Sequence, residues 1–464
     1  MRYISGLMAD RNLNKGPVAR ALWRVSAPMS IGILGTLSVG LADAAFLARA
    51  GQADLTAVGF IYPVTVALTS LSIGLSAGTS AVVSQALGRD GDDDATAARL
   101  GLHALIFATA LGLLVALAFW LTAPLIYGLM GATGEVEDKV LAYIPWWCAS
   151  FPFLVAGMGL NAVFRAGGES HISATVMVLQ AIINIAVTPV FIFGWWLVPA
   201  LDTEGAAIGT FIARALGFVG LMLFSLRSGR LSLTPGCLTG LRASLTKIAR
   251  IGGPAAASNA INPLGLSLVT SAAATLGDAQ VAGFGAATRV QSLLMVPMLA
   301  LSAGIGPVVG QAWGADRIDR AQGAVRLTFL TCLTYGAVLA AALFFGAPWL
   351  AKVMTDGSAA ADHATTYLRW GGLSFFGYGI LVTANAAMNA RDKALWSMGL
   401  SASRIAVVYV PLAWLGATIA GFPGIVAAFV AANLWAVAGA LFLTRRADIL
   451  RFDPPETTKA AAAD

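Results

Sequence analysis

A carboxylate inside a stretch long enough to cross a bilayer is the first chemistry this sequence offers. Residues 25–48, VSAPMSIGILGTLSVGLADAAFLA, hold Asp43, the one of 23 acidic residues that falls well inside an apolar segment. Keeping a carboxylate at bilayer depth costs about 2.5–3.5 kcal/mol on insertion scales, and side chains kept there mark ion or proton pathways. Two roles are open to it. Asp43 either pairs with an intramembrane arginine or caps a broken helix, or it faces a cavity and alternates between protonated and charged, or between ion-bound and ion-free. In INIAVTPVFIFG, Asn184 and Thr188 stand four residues apart on one helix face. EGAAIGT sets Thr210 at a comparable depth in the following span. With Asp43, these make a proton relay or a weak hard-cation site, coupling H+ or Na+. Taken singly, such residues are the hydrogen-bonding glue of packed membrane helices.

Other chemistries find no constellation. A nucleotide-driven pump needs a GxxxxGK[ST] loop, and none of the six lysines is followed by Ser or Thr. His103, His171 and His363 are scattered near different span ends, and Cys148, Cys237 and Cys332 lack metal spacing. The expectation is therefore no enzyme, no metal and no cofactor. An intramembrane enzyme would need convergent His, Asp or Ser groups, and a passive channel would need no titrating site.

The elements that must carry Asp43 are membrane helices. The chain is 58% hydrophobic and only 11% charged, with a mean hydropathy of +0.78, against about 25% charged residues in soluble proteins. Hydropathy places about twelve spans, at 25–48, 56–86, 98–127, 138–165, 172–193, 203–226, 246–276, 282–312, 322–350, 363–390, 395–416 and 422–444. The first 24 residues lack the apolar core and small-residue cleavage site of a signal peptide, so the first span is retained. Of 29 lysines and arginines, 22 fall in segments on one side; Arg49, Lys139, Lys352 and Arg369 fall on the other. The positive-inside rule then puts both termini in the cytoplasm of a multi-pass protein of the inner, cytoplasmic membrane. The net charge of +6 reads as topology rather than as a nucleic-acid patch.

Three arginines lie within or near spans. Arg214 and Arg404 are expected to snorkel to an interface, whereas Arg289 begins its span's interior and could enter a cavity of the second half. Trp146, Trp147, Trp195 and Trp196 read as interfacial belt residues. Pro28 and Pro63 interrupt the first two spans, as Pro254, Pro297 and Pro307 interrupt their counterparts, each either as a static kink or, for Pro28, as a hinge.

The chain repeats itself. LSAGTSAVVSQALGRD (75–90) over LSAGIGPVVGQAWGAD (301–316) gives ten identities in sixteen, at a shift of 226 that also pairs Pro28 with Pro254. Two homologous six-span bundles follow, with the same orientation and a pseudo-twofold along the membrane normal. The boundaries are a cytoplasmic segment 1–24, a first bundle 25–226, an inter-lobe loop 227–245, a second bundle 246–444 and a cytoplasmic tail 445–464. Rocking one bundle against the other gives alternating access to a central cleft. On this shift Asp43 corresponds to Val269, so the carboxylate belongs to one half only.

These residues resemble the multidrug and toxic compound extrusion (MATE) family. The resemblance covers roughly residues 18–446, carried by Pro28 and Asp43 followed by LTAVGF, by the paired Gln-Ala-x-Gly stretches, by NAVFRAGGES, and by NIAVTPVFIFG leading to EGAAIGT. It implies an all-α, V-shaped, twelve-helix monomer that exports organic, cationic or amphiphilic compounds in exchange for protons or sodium ions. It also implies that Asp43 is the coupling carboxylate, with Asn184 and Thr210 beside it. Many relatives carry a second aspartate where this chain has Thr188, which weakens the expectation of sodium binding. The region GGPAAASNAINPLG offers Asn259 and Asn262 to a second-half cavity, but no acid, as in the DinF-like branch. A lipid-linked precursor flippase of the same wider superfamily is the alternative; it would be expected to line its cavity with several basic groups and to add spans.

Overall fold

The computed structural model describes residues 12–89, 94–195, 198–231, 234–355, 357 and 359–451; the expectations for the extreme termini and for Trp196 lie outside them. The apolar runs fold as helices because, without water to satisfy it, the backbone must bond to itself. The first half is six unbroken helices: α1 (Val18–Ala50), α2 (Gln52–Arg89), α3 (Asp94–Leu129), α4 (Gly134–Ala166), α5 (Ser170–Phe193) and α6 (Asp202–Arg227). The second comprises α7 (Leu241–Ala274), α8 (Asp278–Leu294), α9 (Val296–Gly314), α10 (Ile318–Thr355), α11 (Ala360–Thr366), α12 (Phe375–Ala390), α13 (Ala394–Ala402), α14 (Val410–Ala420) and α15 (Phe422–Arg446). Counting each interrupted pair as one rod, the described helices make two sets of six.

Ten described segments are long and apolar enough to cross a membrane. The other two expected spans, 246–276 and 363–390, are also helical. The first, α7, is rich in Gly, Ala, Ser and Asn. The second is divided by a π-helical turn at Tyr367–Gly371 and a 3-10 turn at Gly372–Ser374. The expected span 282–312 is likewise two helices, broken at Met295, where Pro297 in the first turn of α9 withholds the N–H that would have continued α8. Between α13 and α14 runs a π-helical segment, Ser403–Tyr409. It ends two residues before Pro411, whose ring would crowd the carbonyl of Val407 in a regular α-helix.

Two compact units emerge: Pro28–Ala256, and Asn12–Ala27 with Ala257 onward. Unit membership thus changes within helices α1 and α7, at Pro28 and three residues after Pro254, which are equivalent positions of the repeat. Residues 246–256, on the far side of the 227–245 loop, count with the first unit. In the second unit, Asn12–Ala27 is held by hydrogen bonds: the Leu13 N–H donates to Gln311 Oε1 (2.8 Å), and Arg320 Nη2 donates to the Leu13 carbonyl (2.6 Å).

Candidate functional site

In the first unit, small residues decide which helices touch. A Cβ on Gly32 would lie 3.2 Å from Ala174 Cα, and one on Gly35 3.5 Å from Ala181 Cβ, so α1 runs alongside α5 at an offset of 142 to 146 residues. That offset brings Asp43 to the level of Thr188. The packing agrees, since Leu47, four residues beyond Asp43, clusters with Ile192, four beyond Thr188, and with Ala206, four before Thr210. Gly205 and Gly209 bring α6 onto α5: a Cβ at Gly209 would stand 2.8 Å from Thr188 Cα, and one at Gly205 2.7 Å from the Ile192 nitrogen. This is the small-xxx-small spacing that lets membrane helices approach closely.

The polar groups at this junction are only partly satisfied. Asn184 Nδ2 donates to Thr210 Oγ1 at 3.3 Å, tying α5 to α6. Asp43 Oδ1, Asn184 Oδ1 and Thr188 Oγ1 are each buried without a hydrogen-bond partner. The expected residues of the first unit therefore lie at one level of α1, α5 and α6, and three of their oxygens carry no hydrogen bond. Among the described residues no group of three or more His, Cys, Asp or Glu comes together.

Two further residues interact electrostatically with Asp43: Arg214 on α6, four residues beyond Thr210, and Tyr143 on α4. Arg214 does not snorkel. Its Nη1 donates to Ser150 Oγ at 2.8 Å, and its guanidinium lies 5.9 Å from the centroid of the Trp147 ring. The physical reason is that α4 offers an acceptor and an aromatic face inside the bundle, sparing the side chain the reach to an interface. Trp147, expected in an interfacial belt, is buried and stacked on Phe151. Arg214 could have been found by the criterion that found Asp43, a charge within an apolar span one turn from Thr210. Nothing in the sequence marked Tyr143.

At the N-terminal ends of α2 and α6 a separate network fixes the frame. Lys139 Nζ donates to Asp54 Oδ1 (2.9 Å) and Asp202 Oδ2 (3.2 Å), and Thr203 donates to Asp54 through its hydroxyl (2.6 Å) and its N–H (3.2 Å).

In the second unit the charge is of opposite sign. Arg404 is 3% exposed rather than at an interface. It donates from Nη2 (2.9 Å) and Nε (3.3 Å) to Asn433 Oδ1 and from Nη1 to Asn262 Oδ1 (3.1 Å), which hold it inside. Of the residues expected at a second-half cavity, Asn262 joins this cluster, and Asn259 is half-buried one turn earlier on α7. Arg289 is exposed and makes no hydrogen bond or ion pair among the described residues. Pro28 is half-buried in α1, where unit membership changes.

Comparison with known proteins agrees with the repeat and the fold. The MatE family model matches twice, over residues 28–190 and 254–415. An FAD transporter of Shewanella oneidensis is 31% identical over 444 residues, 95% of this chain and 97% of that protein. The multidrug export protein MepA of Staphylococcus aureus (strain NCTC 8325 / PS 47) is 24% identical, covering 97% and 99%. Among solved structures, the Vibrio cholerae MATE transporter VcmN in its bent form is 27% identical with a TM-score of 0.85, covering 93% of this chain and 98% of that one. With two family matches in register with its own repeat and a helical multi-pass fold across the described residues, the chain belongs to the MatE family of membrane transporters.

Proposed function

We propose that this transporter exports small organic compounds in exchange for protons, with Asp43 as the carboxylate that takes up and releases the coupling proton. One observation carries the proposal: Asp43 Oδ1 is buried without a partner at the level of two other unpartnered oxygens, Asn184 Oδ1 and Thr188 Oγ1. A buried polar atom left unsatisfied costs about 1–3 kcal/mol, and a proton removes that cost where the fold does not. The donor set argues for a proton over sodium, because Asp43 is the one carboxylate beside neutral amide and hydroxyl oxygens, a weak set for a hard cation, while the positive charge of Arg214 opposes either ion. Asn184 and Thr210 orient the site. Pro28 is the hinge, export follows alternating access between the two bundles, and the transporter works as a monomer with both termini in the cytoplasm.

The test is substrate-driven proton release in proteoliposomes. Asp43→Asn abolishes it while leaving the protein folded; full coupled transport by this variant refutes the assignment. Sodium coupling is checked separately, by transport under a sodium gradient at equal pH on both sides.

A second reading of the cargo is supported by the relative at 31% identity, whose name specifies FAD, a dinucleotide with a negatively charged diphosphate. The MepA relatives are named for multidrug export. Cationic amphiphiles and aromatic anions are therefore the two cargo classes to set against each other.

A further inference from the structure

Arg404 is a buried charge that forms no ion pair with any acid among the described residues. We infer that Arg404, with Asn262, Asn433 and Tyr378, forms an oxyanion subsite in the second unit that takes a phosphate or carboxylate group of an exported aromatic anion. The inference rests on the export reading and deepens it by naming the substrate class.

The hydrogen bonds define the subsite. Both acceptors of Arg404 are neutral amide oxygens. Each amide is turned toward the arginine by its own donor: Asn433 Nδ2 bonds Ser374 Oγ at 2.9 Å, and Asn262 Nδ2 bonds the Ser258 carbonyl at 3.4 Å. A close approach sets Asn433 in place, since a Cβ on Gly377 would stand 2.8 Å from the Asn433 carbonyl oxygen. The guanidinium lies 5.5 Å from the centroid of the Tyr378 ring. No acid of the described residues forms an ion pair with it.

Chemistry completes the picture. A guanidinium has five N–H donors, and the amides engage one on Nε and one on each terminal nitrogen. One N–H on each terminal nitrogen therefore remains for the oxygens of a carboxylate or phosphate to accept. Burying a charge with neutral acceptors alone is costly, and an anionic ligand offsets what the fold leaves uncompensated. Arg404 also sits on the π-helical segment Ser403–Tyr409, a backbone irregularity that is frequent at functional sites. Asn262 and Tyr378 are half-buried and so edge the cluster. A purely structural arginine would tie α7 to α15 equally well, so the test must read ligand charge and not stability alone.

The experiment uses the full chain in lipid nanodiscs, with three fluorescent probes. FAD carries the flavin ring and the diphosphate, riboflavin carries the ring alone, and ethidium is a cation. FAD is expected to bind more tightly than riboflavin. Arg404→Gln lowers FAD affinity about tenfold or more, toward that of riboflavin, without weakening ethidium. Asn262→Asp is the second variant, because it puts a carboxylate against Arg404, keeps the fold and occupies the charge; it too loses FAD binding, with an unchanged or higher melting temperature. Equal binding of FAD and riboflavin by the wild type, or wild-type FAD affinity in folded Asn262→Asp, overturns the subsite. If neither FAD nor ethidium is moved by wild-type proteoliposomes, the export reading fails instead.

Discussion

Gly209→Ala probes the packing that assembles the Asp43 site. The added Cβ would stand 2.8 Å from Thr188 Cα and meet Thr188 Oγ1 more closely still. Favourable carbon contacts lie near 3.5–4.0 Å, so α5 and α6 must part by roughly 1 Å. Alanine in place of a helical glycine gains up to about 1 kcal/mol of helix propensity. Overpacking at a tight contact costs about 1–3 kcal/mol. Gly220→Ala, also on α6 but with nothing within 4 Å of the new Cβ, gains the first term without the second. The propensity gain cancels between the two variants, so Gly209→Ala should be less stable than Gly220→Ala by about 1–3 kcal/mol. Unfolding in detergent measures that gap, and proteoliposome transport measures the function. Separating the helices parts Asn184 and Thr210, so coupled transport should fall in Gly209→Ala and persist in Gly220→Ala. Equal stability and equal transport for the two variants would refute the reasoning that this close approach builds the site.

Removing the positive charge of Arg214 should admit a hard cation, so Arg214→Gln is expected to show sodium-stimulated transport at equal pH; a response no larger than wild type's would end the screening role. Cargo charge should be visible in voltage dependence. One charge crossing 100 mV gains about 2.3 kcal/mol. One proton exchanged for one monovalent cation moves no net charge, whereas a dianion leaving as a proton enters moves three, about 7 kcal/mol per 100 mV. Transport in liposomes clamped with potassium and valinomycin distinguishes the two. Asp54→Asn removes the charge that Lys139 and Thr203 share and should destabilise the protein by about 1–3 kcal/mol, read as a lower melting temperature; an unchanged one would show that this network is not what holds α2 to α6.

Much of the architecture was legible because bilayer thickness imposes a length and an apolarity that single runs must satisfy alone. The spans, the repeat and the isolated Asp43 are properties of local composition, readable residue by residue. Asn184 and Thr188 were placed by helix face and Thr210 by depth, whereas the Asn184–Thr210 hydrogen bond depends on the close approach of α5 and α6. The interruptions in the second half were less legible. A π-helical turn leaves the run of apolar residues intact, so 363–390 and 395–416 read as plain spans, and Pro297 identifies the break at Met295 only once the helix register is known.

What the sequence by itself determined is that this chain lies in a membrane as two related sets of helices with a carboxylate in one of them. Which way the intramembrane arginines turn was a tertiary decision. Snorkelling is the solution open to an isolated helix, and neighbours replace it when they bring acceptors: Ser150 and the Trp147 ring for Arg214, Asn262 and Asn433 for Arg404. These partners lie 29 to 142 residues away from Arg404 and 64 to 67 from Arg214 along the chain, beyond any local pattern. Arg289, in a comparable sequence setting, is exposed, because no described partner draws it inward. Which charges each half holds inside follows from helix packing, since the cost of a buried charge depends on which groups surround it and not on the span that carries it.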